Sequence, residues 1–145
     1  MPNVPGVPTH KNLKRPPPRV VALVPARGGK QSVPWKNLQK LGGKTLLWWA
    51  VDVGLRAKLV DAVTVSTEDP KSARVARRYG AIVIPRPKEF AQPTSDDVGF
   101  YQHAVTWMKD ELGWKPELLV NLRPTSPLRF PEDVDRMQQP DYLAL

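Results

Sequence analysis

The chain has 145 residues, of which 41% are hydrophobic, and this length and composition predict one globular domain. It has no cysteine and two histidines, His10 and His103, which excludes disulfides, thiolate metal sites and a histidine-rich metal cluster. The net charge is +8, and half of it lies in residues 1–19, which hold four basic residues and no acidic one. The remainder is therefore only mildly basic, an excess that suits small anionic ligands as well as nucleic acid.

Residues 1–18 differ in composition from the rest of the chain. They hold six of the 17 prolines and almost no large apolar side chain, so they cannot bury enough surface to offset the entropy cost of ordering. We therefore predict a flexible basic leader over residues 1–18 and a folded domain over residues 19–145. No apolar run approaches the roughly 20 residues of a membrane-spanning helix, and the short run at residues 20–24 does not suit a secretion signal. The expected location is the cytoplasm, without membrane contact.

The folded part opens with a predicted strand. Residues 20–24 form a continuous apolar run that ends at Pro25, the pattern of a strand buried on both faces. Three further short segments predict strands at residues 62–67, 81–84 and 118–122.

Helical patterns separate these strands. The first has one apolar stripe, formed by Leu47, Ala50, Val51, Gly54 and Leu55. Asp69 and Pro70 open the second, because aspartate caps a helix and proline suits its first position. A longer helix follows, capped by Thr94 or Ser95, and Pro131 opens the last one. The stripe predicted for the longer helix comprises Val98, Tyr101, Val105, Met108 and Leu112.

Strands that alternate with helices of this length predict a parallel sheet with right-handed crossovers. The fold class is α/β, with a Rossmann-like parallel sheet between two layers of helices. In such sheets ligands bind beyond the carboxyl ends of the strands. The chemistry is therefore expected in the loops that follow Val24, Thr67, Ile84 and Leu122.

The loop after the first strand has the composition of a polyphosphate-binding loop. Gly28 and Gly29 allow the backbone to approach a ligand closely, while Arg27, Lys30 and Lys36 supply positive charge for a triphosphate. The glycine spacing matches neither a Walker loop nor a dinucleotide fingerprint. An ordinary basic turn would have the same composition, so this loop alone leaves both interpretations open.

Four segments together resemble the CMP-sialic acid synthetase family. The segment VPARGGKQSVPWKN (residues 24–37) is similar to the sequence that opens these enzymes. In the same order follow VSTED (65–69), RPKEFAQPTSDD (86–97) and LRPTSPLR (122–129), each after a predicted strand. The resemblance covers about residues 20–138, and the ordered set is far more specific than any single motif.

The resemblance implies a glycosyltransferase-A-like nucleotidyltransferase that binds CTP with Mg²⁺. In this family an acidic nine-carbon sugar attacks the α-phosphorus through its anomeric hydroxyl, and pyrophosphate leaves. Charge then gathers on phosphate oxygens, and the resemblance makes Arg27 and Lys36 the catalytic candidates. The nucleotide-binding candidates are Ala26, Gly28, Gly29, Lys30, Asn37, Arg86, Thr94, Ser95, Arg123, Pro124 and Thr125.

Several of these positions have a structural alternative or depart from the family pattern. Arg86 could pair with Glu89 or Asp97, and Thr94 and Ser95 could serve only as helix caps. The family often has glutamine where this chain has Arg123, and a guanidinium cannot copy the donor and acceptor pattern of an amide. The lysine of the first loop also lies one position away from its place in the family.

The family's later half supplies two metal-binding aspartates, much of the sugar pocket and a dimerisation extension. We expect a partial domain, incomplete at its C-terminus, whose family forms homodimers. Asp69, Asp96 and Asp97 are expected to cap helices or face solvent, so no residue is assigned as a metal ligand.

Two other functions stay open. The chain could be a catalytically incomplete nucleotide-binding module, or a nucleic-acid-binding protein that uses its basic leader. Nucleic acid is the less favoured partner, because no recognition helix or basic–aromatic stripe is present and Trp48, Trp49 and Trp107 fall on helices where core packing explains them.

Overall fold

The computed structural model describes residues 17–28, 35–90, 97–124 and 130–136. Most of the predicted leader, residues 1–16, lies outside these ranges. The strands are β1 (Val20–Pro25), β2 (Lys40–Leu41), β3 (Lys44–Thr45), β4 (Ala62–Thr67), β5 (Ile82–Pro85) and β6 (Leu118–Asn121). The helices are α1 (Leu46–Arg56), α2 (Pro70–Arg78), α3 (Asp97–Trp107), which continues into a π-helical turn at Met108–Leu112, and α4 (Pro131–Arg136). Single 3₁₀ turns lie at Lys36–Leu38 and Lys88–Phe90.

The predicted α/β class is confirmed, and all four predicted strands lie within one residue of their expected bounds. They form one parallel sheet with the order β5-β4-β1-β6. β1 is central: Leu23 lies opposite Thr64 of β4 on one side and opposite Asn121 of β6 on the other. The chain therefore moves outward in one direction through β4 and β5, and in the opposite direction to β6.

The sheet separates two apolar layers, as the three-layer prediction requires. Because successive side chains of a strand face opposite ways, Ala22 and Val24 pack with residues of α1, α2 and α4. Val21 and Leu23 pack on the other face against α3. All four of these β1 side chains are fully buried, so β1 is the centre of both layers.

The predicted start of α2 is confirmed by its cap. The Asp69 carboxylate accepts hydrogen bonds from the Ser72 backbone N–H and hydroxyl, both at 2.8 Å, and Pro70 occupies the first turn. A side-chain cap of this kind at the N-terminus of a helix contributes about 1 kcal/mol to stability. The predicted capping role of Asp69 is therefore confirmed.

Residues 40–45 form a short antiparallel hairpin that the sequence analysis missed. β2 pairs with β3 across Gly42 and Gly43, whose φ angles are 61° and 81°. Two adjacent glycines with positive φ are the signature of a tight hairpin turn, so the signal was present in the sequence. The hairpin leads directly into α1, where Thr45 caps the helix by accepting from the Trp48 N–H at 3.0 Å.

The predicted apolar stripe of the long helix is wrong in one respect. Val105 is 45% exposed, whereas Phe100, Ala104 and Met108 face the sheet at a spacing of four residues. Phe100 and Ala104 lie in the α-helical part of α3, where residues four apart share a face, so the buried face includes these two residues and Val105 turns toward solvent. The side chain of Val98 lies outside the described residues.

Gly54 of α1 is expected to be sensitive to added volume. A Cβ at this position would lie 2.9 Å from Val63 Cγ2 and 3.2 Å from Leu122 Cδ1, on β4 and just after β6. We predict that Gly54→Val lowers the free energy of unfolding by about 1–3 kcal/mol through overpacking, measured by urea denaturation. Arg56→Ala, at an exposed position of the same helix, should change it by less than about 0.5 kcal/mol. A Gly54→Val protein as stable as the wild type would contradict this packing.

Candidate active site

The candidate site lies at the carboxyl edge of the sheet, between β1 and β6. Leu122 donates its backbone N–H to the Leu23 carbonyl at 2.9 Å, so the two strands stay paired up to their ends. The strand order reverses here, because the chain passes from β1 to β4 on one side and reaches β6 on the other side only after β5. Ligands of doubly wound sheets bind in a crevice at the carboxyl edge where the order reverses, so the end of the sheet between β1 and β6 is the candidate crevice.

The backbone of the loop after β1 is held at three consecutive residues. Ala26 donates its N–H to the Ser66 carbonyl at 2.9 Å. The Arg27 carbonyl accepts from Asn37 Nδ2 at 3.0 Å, and Gly28 donates its N–H to Glu68 Oε1 at 2.7 Å. These bonds connect the loop to the end of β4 on one side and to the following 3₁₀ turn on the other.

Close packing requires a glycine at position 28, whether or not a ligand binds there. A Cβ at this position would lie 2.6 Å from Asp69 Cβ and 3.3 Å from Glu68 Oε1. No side chain fits there unless the turn between β4 and α2 moves. The sequence analysis assigned Gly28 to the nucleotide, and in this structure it contacts that turn.

Lys36 and Asn37 enter the site on a 3₁₀ turn that begins from a left-handed residue. Trp35 has φ 52° and ψ 42°, a conformation that costs a non-glycine residue about 1–2 kcal/mol. Its ring lies 5.5 Å from Lys71 Nζ. Asn37 is only 8% exposed and Lys36 is half-buried. Sequence analysis did not predict the left-handed backbone at Trp35. This backbone conformation sets the direction of the two residues that follow it.

Arg86 is a buried cation on the α3 side of the sheet. It is 6% exposed, and it donates through Nε to Ser66 Oγ at 3.0 Å and through Nη2 to the Ser66 carbonyl at 3.2 Å. Its Cζ lies 4.5 Å from the centre of the Phe100 ring, in a cation–π contact. Ser66 and Phe100 therefore fix this guanidinium, and neither was among the predicted site residues.

His103 of α3 is affected by the charge of Arg86. Burial, and after it the positive charge of Arg86, lowers the pKa of His103 below its ordinary value, while Glu89 acts in the opposite direction. His103 is therefore neutral at physiological pH, beside a buried cation.

On the β6 side, Arg123 is exposed and Pro124 is buried. Arg123 follows Leu122 directly, so it lies beside the crevice. Asn121, the last residue of β6, has a buried Oδ1, and Oε2 of Glu68 is likewise buried. Neither oxygen has a hydrogen-bond partner in the part of the chain that the structure describes.

The chain matches the family described as Cytidylyltransferase over residues 21–140, which includes all four loops at the carboxyl edge. The chain belongs to this family. The match extends over most of the chain, so the predicted recognition is confirmed at the level of the family.

Three relatives show the kinds of cytidylyltransferase that the chain is similar to. It is 31% identical over 111 residues to the N-acylneuraminate cytidylyltransferase of Escherichia coli, covering 77% of this chain and 25% of that protein. It is 34% identical over 122 residues to the CMP-N,N'-diacetyllegionaminic acid synthase of Legionella pneumophila, covering 80% and 50%. It is 34% identical over 119 residues to the 3-deoxy-manno-octulosonate cytidylyltransferase of an Anaeromyxobacter species, covering 82% and 45%.

Solved structures confirm the fold of this chain. A CMP:2-keto-3-deoxy-manno-octonic acid synthetase complexed with CTP superposes with a TM-score of 0.64 at 24% identity, covering 82% of this chain and 45% of that one. A 4-diphosphocytidyl-2C-methyl-D-erythritol synthase gives 0.62 at 19% identity, covering 88% and 55%. The chain thus spans a quarter to about half the length of the proteins it matches.

Five predicted binding residues lie outside the described ranges of the chain. They are Gly29, Lys30, Thr94, Ser95 and Thr125. The alternative roles of Thr94 and Ser95 as helix caps lie outside them too. The described residues bring Ala26, Arg27, Gly28, Lys36 and Asn37 together in one loop. They place Arg86 after β5 and Arg123 after β6, the two outer strands of the sheet, at the same carboxyl edge.

The described part of the chain offers no cluster of three metal-binding side chains. Within residues 17–28, 35–90, 97–124 and 130–136, no three His, Asp or Glu side chains lie close enough to hold a metal ion together. The Asp69 carboxylate is engaged in capping α2. No described residue is therefore assigned to the Mg²⁺ that the resemblance implies. No described helix has the length and apolar character needed to cross a membrane.

The lowered pKa of His103 predicts how stability varies with pH. The folded state favours the neutral imidazole, whereas the unfolded chain takes up a proton near its ordinary pKa of about 6.5. The contribution of His103 is thus complete above that pH and is lost as the pH falls toward the lower folded-state value. We predict that His103→Gln reduces the loss of unfolding free energy between pH 7.5 and pH 5, measured by urea denaturation. An unchanged loss in this variant would contradict the assignment.

Proposed function

We propose that this cytidylyltransferase transfers CMP from CTP to an acidic sugar and releases pyrophosphate. The observation that carries the proposal is the loop after β1, whose backbone is fixed at Ala26, Arg27 and Gly28 beside the crevice. A loop held in this way presents its cations in a set geometry, which is what stabilisation of a triphosphate requires. The names of the three relatives support an acidic sugar as the acceptor, since each name includes an acidic sugar.

The proposed reaction is an in-line displacement at the α-phosphorus. A hydroxyl oxygen of the sugar forms a bond to this phosphorus, and the bond from the phosphorus to the oxygen that bridges to the β-phosphate breaks. The hydroxyl proton is lost, and pyrophosphate leaves with the bridging oxygen. Negative charge spreads over the phosphate oxygens in the transition state. Arg27 and Lys36 are the residues proposed to stabilise this charge.

We propose a nine-carbon sialic acid-like sugar as the acceptor. The four loop motifs resemble sialic acid synthetases, and two of the three relatives are named for N-acylneuraminate and diacetyllegionaminic acid. The third is named for an octulosonate, so an eight-carbon acid is the comparison that tests this choice.

A binding module without turnover is the second candidate. It is favoured by one observation, that the described residues hold no metal-binding set although the resemblance implies Mg²⁺. Such a module would bind CTP without releasing pyrophosphate from it.

A pyrophosphate-release screen distinguishes the two functions. The four common nucleoside triphosphates are each combined with N-acetylneuraminate, an octulosonate and a neutral hexose, in the presence of Mg²⁺. The proposal predicts release with CTP and the nine-carbon acid, and none with the hexose. Binding of CTP by isothermal titration calorimetry without release would support the second candidate. Failure to bind any nucleoside triphosphate would reject both.

Charge removal in the β1 loop tests the catalytic candidates. We predict that Arg27→Ala and Lys36→Ala each lower kcat by about 100-fold, since a group that stabilises transition-state charge contributes about that much. Lys40→Ala is the matched control, because Lys40 is an exposed lysine on the nearby hairpin. Pyrophosphate release under saturating CTP gives kcat for each variant. Equal activity in all three variants would contradict the assignment.

A further inference from the structure

Glu68 follows β4 and was not among the predicted site residues. We propose that Glu68 is a positioning residue, which fixes the backbone of the nucleotide-binding loop by accepting the Gly28 N–H. The inference rests on the proposed function, because the benefit of a fixed loop is the binding of a nucleotide. The loop and the carboxylate are 40 residues apart in sequence, and they meet only because β1 and β4 pair.

The bond between Gly28 and Glu68 is short and charge-assisted. The Gly28 nitrogen lies 2.7 Å from Glu68 Oε1, in a partly buried position. A hydrogen bond to an ionised acceptor is about twice as strong as one between neutral groups, and partial burial strengthens it further. Among the three bonds that hold the loop, this one alone has a charged acceptor.

Glu68 is itself held between two anchored neighbours. The Asp69 N–H donates to Thr67 Oγ1 at 3.1 Å, and the Asp69 carboxylate caps α2 through Ser72. The backbone of the turn is thus fixed by strand β4 on one side and by helix α2 on the other. A carboxylate supported in this way is a rigid partner for Gly28.

The Glu68 carboxylate has no other described interaction that would explain it. Among the described residues it forms no ion pair, and its Oε2 is buried without a hydrogen-bond partner. Leaving a buried oxygen unpaired costs about 1–3 kcal/mol. The bond to Gly28 is the described contact that offsets this cost, and it links the residue to the loop.

A carboxylate beside a phosphate-binding loop could instead oppose nucleotide binding, by occupying the position of a phosphate group. That role would require Gly28 to face the ligand. A Cβ added to Gly28 would instead point at the turn after β4, 2.6 Å from Asp69 Cβ and 3.3 Å from Glu68 Oε1, so this residue packs against that turn. Removal of the carboxylate should therefore loosen the loop and weaken nucleotide binding.

The test compares Glu68→Ala with Glu68→Gln. Glutamine keeps an oxygen that accepts the Gly28 N–H, whereas alanine removes the acceptor. Glu111→Ala is the control, since Glu111 is an exposed acid in the π-helical turn after α3, far along the chain from either loop. Two quantities are measured in the full chain: the hydrogen exchange of the Gly28 amide without nucleotide, and the Kd for CTP by isothermal titration calorimetry.

We expect Glu68→Ala to lose protection of the Gly28 amide and to raise the Kd for CTP about tenfold, the effect of losing one hydrogen bond to a charged group. Glu68→Gln should keep the protection and stay close to the wild-type Kd, and the control should match the wild type. A Kd in Glu68→Ala that equals or falls below the wild-type value would overturn the inference while the proposed function stands. A wild-type protein that binds no CTP would reject the proposed function, and the positioning role with it.

Discussion

The parallel pairing of β1 with β4 on one side and with β6 on the other is the constraint on which the site depends. It brings the residues after three strands to one edge, although they are about 40 and 100 positions apart in sequence. The described start of the loop after β1 is held by two groups that the pairing with β4 brings close, the Ser66 carbonyl and the Glu68 carboxylate, and by the Asn37 amide further along the same loop. A change that weakened the sheet at this edge would therefore disturb the loop before it unfolded the domain.

The same edge carries polar groups into an otherwise apolar sheet, and Ser66 and Arg86 are matched to each other. Ser66 lies in a strand whose residues are all buried, and its hydroxyl and carbonyl accept from the Arg86 guanidinium. Phe100 of α3 covers that cation. A buried cation would be costly without such partners. The arrangement keeps a positive charge in place at the end of β5, on the same edge of the sheet as the proposed site of an anionic ligand.

Much of this architecture follows from local sequence patterns. A continuous apolar run marked β1 because this strand is buried on both faces, and Asp69 with Pro70 marked the start of α2. The buried face of α3 was mispredicted at Val105, because apolar residues occur on more than one face of this helix and packing against the sheet selects the buried one. The contacts of Glu68 and Ser66 with the site also escaped prediction, since they join segments that only the strand order brings together. The left-handed backbone at Trp35 was not predicted either, because glycine is the residue that usually marks this conformation in a sequence.

The proposed CTP site between β1 and β6 can be tested by a CTP titration followed in the two-dimensional NMR spectrum of the backbone amides. We expect the largest shifts at Arg27, Lys36, Arg86 and Arg123, at the carboxyl edge. A separate cavity of about 370 Å³ lies between the end of α1 and α4, lined in part by Arg56 and Lys58, and the amides of its lining residues should not respond. Shifts confined to that cavity, or no shifts at all, would show that CTP does not bind at the carboxyl edge.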